Sequence, residues 1–90
     1  GYLVETSEIV ETLQKYHKIK QAVVIPKRGK NLNIYLCAYY ISNQEISIQE
    51  LKAHLKRYLT DYMIPDEYVR VDRFPETLNH KIDKTELLRG

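Results

Sequence analysis

The stretch LNIYLCAYYIS, Leu32–Ser42, decides how the rest of the chain must be arranged. Its β-branched and aromatic content favours a strand over Leu32 to Ile41. Side chains alternate between the two faces of a strand. Leu32, Ile34, Leu36, Ala38 and Tyr40 therefore point one way, and Asn33, Tyr35, Cys37 and Tyr39 the other. Both rows are partly apolar. A strand of that kind needs cover on both sides, which places it at the centre of a sheet with a packing layer above and below.

Working outward, Ala22 to Ile25 is a short apolar run with β-branched content, and KRGKN supplies Gly29 for a turn. The two strands read as a hairpin. On the other side, ISIQELKAHLKRYL is a helix. Ser47 and Glu50 have the spacing of a capping box, and Ile46 can pack on Leu51 as a hydrophobic staple. Ile48, Leu51, Leu55, Tyr58, Leu59 and Tyr62 form its expected buried stripe. Pro65 disfavours helical geometry at Ile64 and ends the helical region.

In EYVRVDRF, residues Tyr68, Val69 and Val71 are strand-like, and Asp83 can cap a last short helix with Glu86 three residues on. The chain opens with a helix over about Ser7 to Tyr16, capped by Thr6 or Ser7. Glu8 and Glu11 sit early in it, where the helix dipole favours negative charge, and Ile9, Val10, Leu13, Tyr16 and His17 fall near one face. The order is helix, strand, strand, helix, strand, loop, helix. The fold class is α+β: a small, mostly antiparallel three-stranded sheet with helices packed on it.

Ninety residues make one domain at most. A chain of that size buries only about 60–65% of its unfolded surface, so standing alone it is marginal. The sequence begins abruptly, as if cut from something longer. No apolar run is long enough to span a membrane, and no signal peptide is visible. A single cysteine, Cys37, forms no internal disulfide, which fits a reducing cytosol and a cytoplasmic protein. The net charge of +2 comes from 14 basic residues scattered among 12 acids. That is not the clustered footprint of a nucleic-acid binder.

Local chemistry is sparse. His17, His54 and His80 lack metal-ligand spacing with Cys37, so no metal site is expected, and His54 reads as structural or surface-lying. Cys37 lies inside an apolar strand, where a thiol behaves as a small hydrophobe. Ser7, Ser42 and Ser47 read as caps or loop residues, and three glycines cannot build a phosphate loop. What remains is Lys81 in PETLNHKIDKTELL, which composition and periodicity leave as a solvated loop lysine.

Three motifs change that reading. Tyr62-Met63-Ile64-Pro65 resembles the motif L-P-x-Y-M-I-P, LNHKID resembles P-N-G-K-I-D or P-N-G-K-V-D, and GYLVETSEI resembles the tail of G-F-R-I-E-L-G-E-I. These are core motifs of nonribosomal peptide synthetase adenylation domains, within the superfamily that includes acyl-CoA synthetases and luciferases. All three occur in order and together cover almost the whole chain. NHKID and YMIP favour the peptide-synthetase branch. The departures are Leu3 for Arg, Ser7 for Gly, Leu78 for Pro and His80 for Gly. If that Gly serves a positive φ, His80 must hold an uncommon backbone conformation; otherwise the loop is ordinary.

The resemblance implies the small C-terminal lid of the adenylate-forming fold, with residues 1–90 as that lid and the N-terminal subdomain and hinge lying before Gly1. It implies Lys81 as the catalytic lysine, with Asn79 and His80 as its neighbours towards substrate and ATP. It also implies that Glu5, Thr6 and Ser7 lie towards the pantetheine arm in a second lid orientation. The substrates implied are an amino acid and ATP. Mg2+ is held, with most of the ATP, by the N-terminal subdomain, and the thiol acceptor is the phosphopantetheine of a peptidyl carrier protein. The lid alone is expected to be inactive. Two rival readings are a non-catalytic module that docks a carrier through a tyrosine-bearing sheet, and an RNA-binding domain that uses Tyr35, Tyr39 and Tyr40 as stacking platforms.

Overall fold

The structure is a computed structural model that describes residues 6–89, apart from the side chains of Leu32 and Arg89. The doubly apolar stretch forms β2, Ile34–Ser42, the middle strand of three. On one side β1, Ile19–Arg28, pairs with it antiparallel, from Arg28↔Ile34 to Ile19↔Ser42. On the other, β3, Glu67–Arg70, pairs parallel, from Cys37↔Glu67 to Tyr40↔Arg70. The long ladder is antiparallel, as expected, but the sheet as a whole is mixed. The reason is the crossover: α2, Ile48–Lys56, carries the chain back to the start of β2, and such a return makes the next strand parallel.

β1 runs well past the expected Ala22–Ile25 and includes Pro26 opposite Leu36. Proline lacks the N–H that a ladder needs, but β1 is an edge strand, so that position costs no sheet bond. A short 3-10 helix, Lys30–Leu32, closes the hairpin, with Gly29 N–H donating to Asn33 O at 2.7 Å.

Each face of the sheet has its own core. On the first, Val24, Leu36, Ala38 and Tyr40 pack with Ile9 and Leu13 of α1, Thr6–Gln14, and with Leu51 and Leu55 of α2. Leu59, Ile46 and Met63 complete this layer. On the second face, Val23, Ile25, Cys37 and Tyr39 pack with Phe74 and with Leu87 of α3, Lys84–Arg89. Val69, Val71 and Ile82 flank them. Lys27 and Glu67 bridge across β2 on this second face at 2.9 Å, with the Lys27 ammonium 5.4 Å from the Tyr39 ring centre. The Tyr39 hydroxyl and the Glu67 carboxylate raise the Lys27 ammonium above its usual range.

The expected helical stripe holds only in part. Leu51, Leu55 and Leu59 are buried, but Ile48, Tyr58 and Tyr62 are 49%, 57% and 61% exposed. Ile48 is the first helical residue, above the core, and α2 ends at Lys56, so Tyr58 and Tyr62 fall off its periodicity. A second 3-10 helix, Asp61–Met63, instead turns Met63 inward. Thr6 and Ser7 lie inside α1, and its capping position is outside the described residues.

The capping box is half realised. Ser47 Oγ accepts from Glu50 N–H at 3.1 Å. The Glu50 carboxylate turns to the connection between α1 and β1, accepting from the Tyr16 hydroxyl and from Lys18 Nζ, the latter at 2.7 Å. An ammonium partner outbids a solvated backbone amide. Beside it, His54 Nε2 donates to Thr12 O at 2.7 Å, so His54 is a clasp between the two helices.

Two buried groups on the sheet give measurable consequences. Among the described residues, the Tyr68 hydroxyl is a buried polar atom without a hydrogen-bond partner. Removing an unsatisfied buried hydroxyl while keeping the ring is neutral or favourable. Tyr68→Phe is therefore expected to hold or raise the thermal midpoint, and a clear drop would reveal a partner. Burial pushes the Cys37 thiol up to about 11 from 9.0. Below pH 9 both folded and unfolded chains keep that proton. Between about 9 and 11 the unfolded chain releases it first, so stability falls as pH rises through that window. Urea midpoints from pH 8 to 11 should decline less steeply for Cys37→Ala than for the parent chain.

Candidate functional site

Lys81 stands on a hairpin loop that the second face of the sheet holds at both ends. Phe74 before it and Leu87 beyond it are buried against Cys37 and Tyr39, with Ile82 partly buried beside them. Between these anchors Glu76 and Ile82 form an antiparallel bridge. Asp83 N–H donates to Pro75 O at 2.7 Å, and Thr77 N–H donates to Lys81 O at 2.7 Å. Thr77 also closes the tip: its carbonyl accepts from His80 N–H at 2.9 Å, and its hydroxyl from Lys81 N–H at 3.3 Å. Asp83 then starts α3, with Oδ1 accepting from Glu86 N–H at 3.0 Å and its carbonyl from Leu87 N–H at 3.1 Å. The cap expected at Asp83 is present, so no flexible link separates the loop from the helix that anchors it.

The tip between these bonds faces outward. Leu78 is 100% exposed, and Asn79, His80 and Lys81 are exposed with it. His80 holds φ 62°, the left-handed region. The position where the resembled motif carries glycine thus needs positive φ, and an L side chain there costs on the order of 1 kcal/mol. Among the described residues, no salt bridge engages the Lys81 ammonium. An exposed ammonium on a pinned backbone, with no salt-bridge partner among the described residues, is suited to meeting an anion supplied from outside.

The remaining expected site residues lie elsewhere. Thr6 and Ser7 open α1 on the opposite face of the sheet, and Glu5 lies outside the described residues. Cys37 is fully buried, and its raised ionisation leaves no reactive thiolate near neutral pH. Among the described residues no group of three or more His, Cys, Asp or Glu side chains is placed to hold a metal ion.

The rival surfaces fare poorly. Tyr39 and Tyr40 are each 5% exposed and belong to opposite cores, so they cannot form one stacking platform with Tyr35. Both faces of the sheet are covered, which leaves no open tyrosine-bearing face for a carrier. Sequence reasoning missed an aromatic cluster beside the helix clasp. There the Tyr16 and His54 rings lie 4.7 Å apart, His54 and Tyr58 5.4 Å apart, and Lys15 lies over Tyr58. Its signal was the clustering of Tyr16, His17, His54 and Tyr58 at two helix ends. With Glu50, Ala53 and Arg57, Tyr16 and His54 line a shallow cavity of about 230 Å³.

Comparison with known proteins gives this geometry a family. The sequence profile of the AMP-binding enzyme C-terminal domain matches residues 8–81. Bacitracin synthase 1 of Bacillus licheniformis is 40% identical over 87 residues, covering 97% of this chain and 2% of that protein. Tyrocidine synthase 1 of Brevibacillus parabrevis is 39% identical over 87 residues, covering 97% of this chain and 8% of that protein. This chain therefore spans only a small fraction of these curated relatives. Among solved structures, holo-AB3403, a four-domain nonribosomal peptide synthetase bound to AMP and glycine, superposes with a TM-score of 0.87. It is 36% identical, over 94% of this chain and 6% of that one. An amide bond synthetase from Marinactinospora thermotolerans, at 19% identity and a TM-score of 0.88 over 98% of this chain and 18% of that one, shares the fold. The anchored hairpin, the two-sided sheet and above all the match over residues 8–81 place the chain in the AMP-binding enzyme C-terminal domain family.

Proposed function

We propose that this chain is the lid of an amino-acid-activating adenylation domain, and that Lys81 supplies the ammonium for aminoacyl-adenylate formation. The observation that carries the reading is the exposed Lys81, in no salt bridge among the described residues, on a hairpin fixed at both ends. In the first half-reaction the amino-acid carboxylate attacks the α-phosphorus of ATP, forming the acyl-phosphate bond and releasing pyrophosphate. Two anions must approach each other, and charge builds on the oxygens around phosphorus. A fixed cation beside them lowers that repulsion and stabilises the transition state.

The amino acid and most of the ATP belong to the N-terminal subdomain, the lid's first partner. In this reading Mg2+ belongs to that subdomain too. In the second half-reaction the pantetheine thiol of a peptidyl carrier protein attacks the acyl carbonyl, and AMP leaves as the thioester forms. The start of α1, with Thr6 and Ser7 and the preceding Glu5, is the segment assigned to that step. Thr6 and Ser7 lie across the sheet from Lys81, and that placement supports a rotation that withdraws one segment and presents the other. The reaction is cytoplasmic in this reading.

In the intact enzyme, Lys81→Ala should slow aminoacyl-adenylate formation on the order of 100–1000-fold. It should largely spare transfer from a supplied aminoacyl-adenylate to the carrier thiol. ATP–pyrophosphate exchange and single-turnover thioester formation measure the two steps separately. Equal losses in both would mean that Lys81 acts on the fold and not on the reaction. The 90-residue chain alone should show no amino-acid-dependent exchange, and exchange by the pure chain would overturn its reading as a lid.

A further inference from the structure

His80 holds φ 62° while carrying a full side chain. The turn around it is closed by groups that do not include its imidazole: Thr77 O, Thr77 Oγ1 and the backbone amides of His80 and Lys81. Glycine would hold the same geometry without the steric cost of a Cβ. The ring therefore adds nothing to the turn. It is exposed, and among the described residues no hydrogen bond, ion pair or ring contact joins it to the lid. Its neighbours on the tip face solvent as well, with Leu78 at 100% exposure. Residues held at strained φ/ψ by the structure around them cluster at active sites and ligand clamps.

The neighbouring residue is Lys81, one Cα–Cα step of about 3.8 Å away. Both residues ride on one pinned segment, so whatever brings the ammonium to an anion brings the imidazole to the same neighbourhood. The two groups differ in what they offer. An ammonium is a compact charge with rotatable donors, while an imidazole presents a ring N–H in a fixed direction, even when neutral. A polyphosphate chain, with anionic oxygens on successive phosphorus atoms, can accept from both at once.

We propose that His80 is a second substrate-contacting side chain, donating a ring N–H to a phosphate oxygen of ATP beside Lys81 when the lid closes. This rests on the reading of Lys81 given above. Asn31, the other described non-glycine residue at positive φ, sits in the hairpin turn between β1 and β2 beside the exposed Lys30, and lies outside the motif that carries Lys81. The contact is an addition made by this chain at a position where glycine alone would satisfy the backbone.

The test compares His80→Gly, His80→Gln and Lys81→Ala in the intact enzyme, using ATP–pyrophosphate exchange with separate titrations of ATP and amino acid. His80→Gly relieves the backbone, so its thermal midpoint should match or exceed that of the parent. Its KM for ATP should rise about tenfold, the usual cost of losing a hydrogen bond to a charged acceptor. Its KM for the amino acid should not change. His80→Gln keeps an N–H donor and should recover part of the ATP affinity. An unchanged ATP KM in His80→Gly, or a His80→Gln variant as weak as His80→Gly, overturns the contact. A crippled Lys81→Ala beside a normal His80→Gly removes this inference and leaves the function of Lys81 standing. Normal exchange by Lys81→Ala removes both.

Discussion

The whole arrangement depends on β2 being apolar on both faces. A strand that alternates apolar and polar residues needs one layer; β2 needs two, and the chain supplies them from different parts of itself. α1 and α2 cover the first face, and the segment from Phe74 to Leu87 covers the second. The second layer is thin, with one six-residue helix and the ends of a loop. A segment recruited to finish a core has its backbone fixed as a by-product. Here that segment contains Lys81, so the demand for a second layer also fixes the residue to which the proposed function assigns the chemistry.

The hairpin shows how the backbone of a loop can be fixed from both ends. Holding an isolated loop in one conformation is entropically costly. This one avoids most of that cost, because its two ends are already packed against the sheet and the bonds around Thr77 close what remains. Thr77 contributes its amide, carbonyl and hydroxyl within one turn. An ammonium on a long, flexible stem gains most from a fixed starting point, since the stem itself carries about 2 kcal/mol of rotamer entropy.

Most of this was legible in the sequence, and the failures have physical causes. The central strand, the hairpin, the Ser47 and Asp83 caps and the burial of Leu51, Leu55 and Leu59 all follow from local rules of alternation and spacing. The parallel β3 was not legible, because direction depends on where α2 lands and not on the residues of β3 itself. The stripe failed at Tyr58 and Tyr62 because helical periodicity was carried past Lys56, where the helix stops. Glu50 was assigned to its own helix end, but tertiary partners Tyr16 and Lys18 took it. For the site, the residue identity of Lys81 came from a motif, and composition and periodicity alone left it as a surface lysine. The positive φ at His80 was posed by the sequence as a condition and decided by the backbone.

The separation of the two candidate segments by the sheet bears on how one small domain can serve two steps. Thr6 and Ser7 begin an element of the first face, while Lys81 belongs to the covering of the second. Between them lie the sheet and its two cores, with the clasp of Tyr16, Lys18, Glu50, Thr12 and His54 tying α1 to α2 on the first face. Such a body transmits a rotation without bending, because close-packed cores resist deformation. If both segments lay on one face, turning the lid would move both towards or away from the reactants together. With the segments on opposite faces, the rotation proposed for the lid would withdraw the ammonium as it brings the start of α1 forward. Under the proposed function, that exclusivity follows from the same two-sided strand that determines the fold.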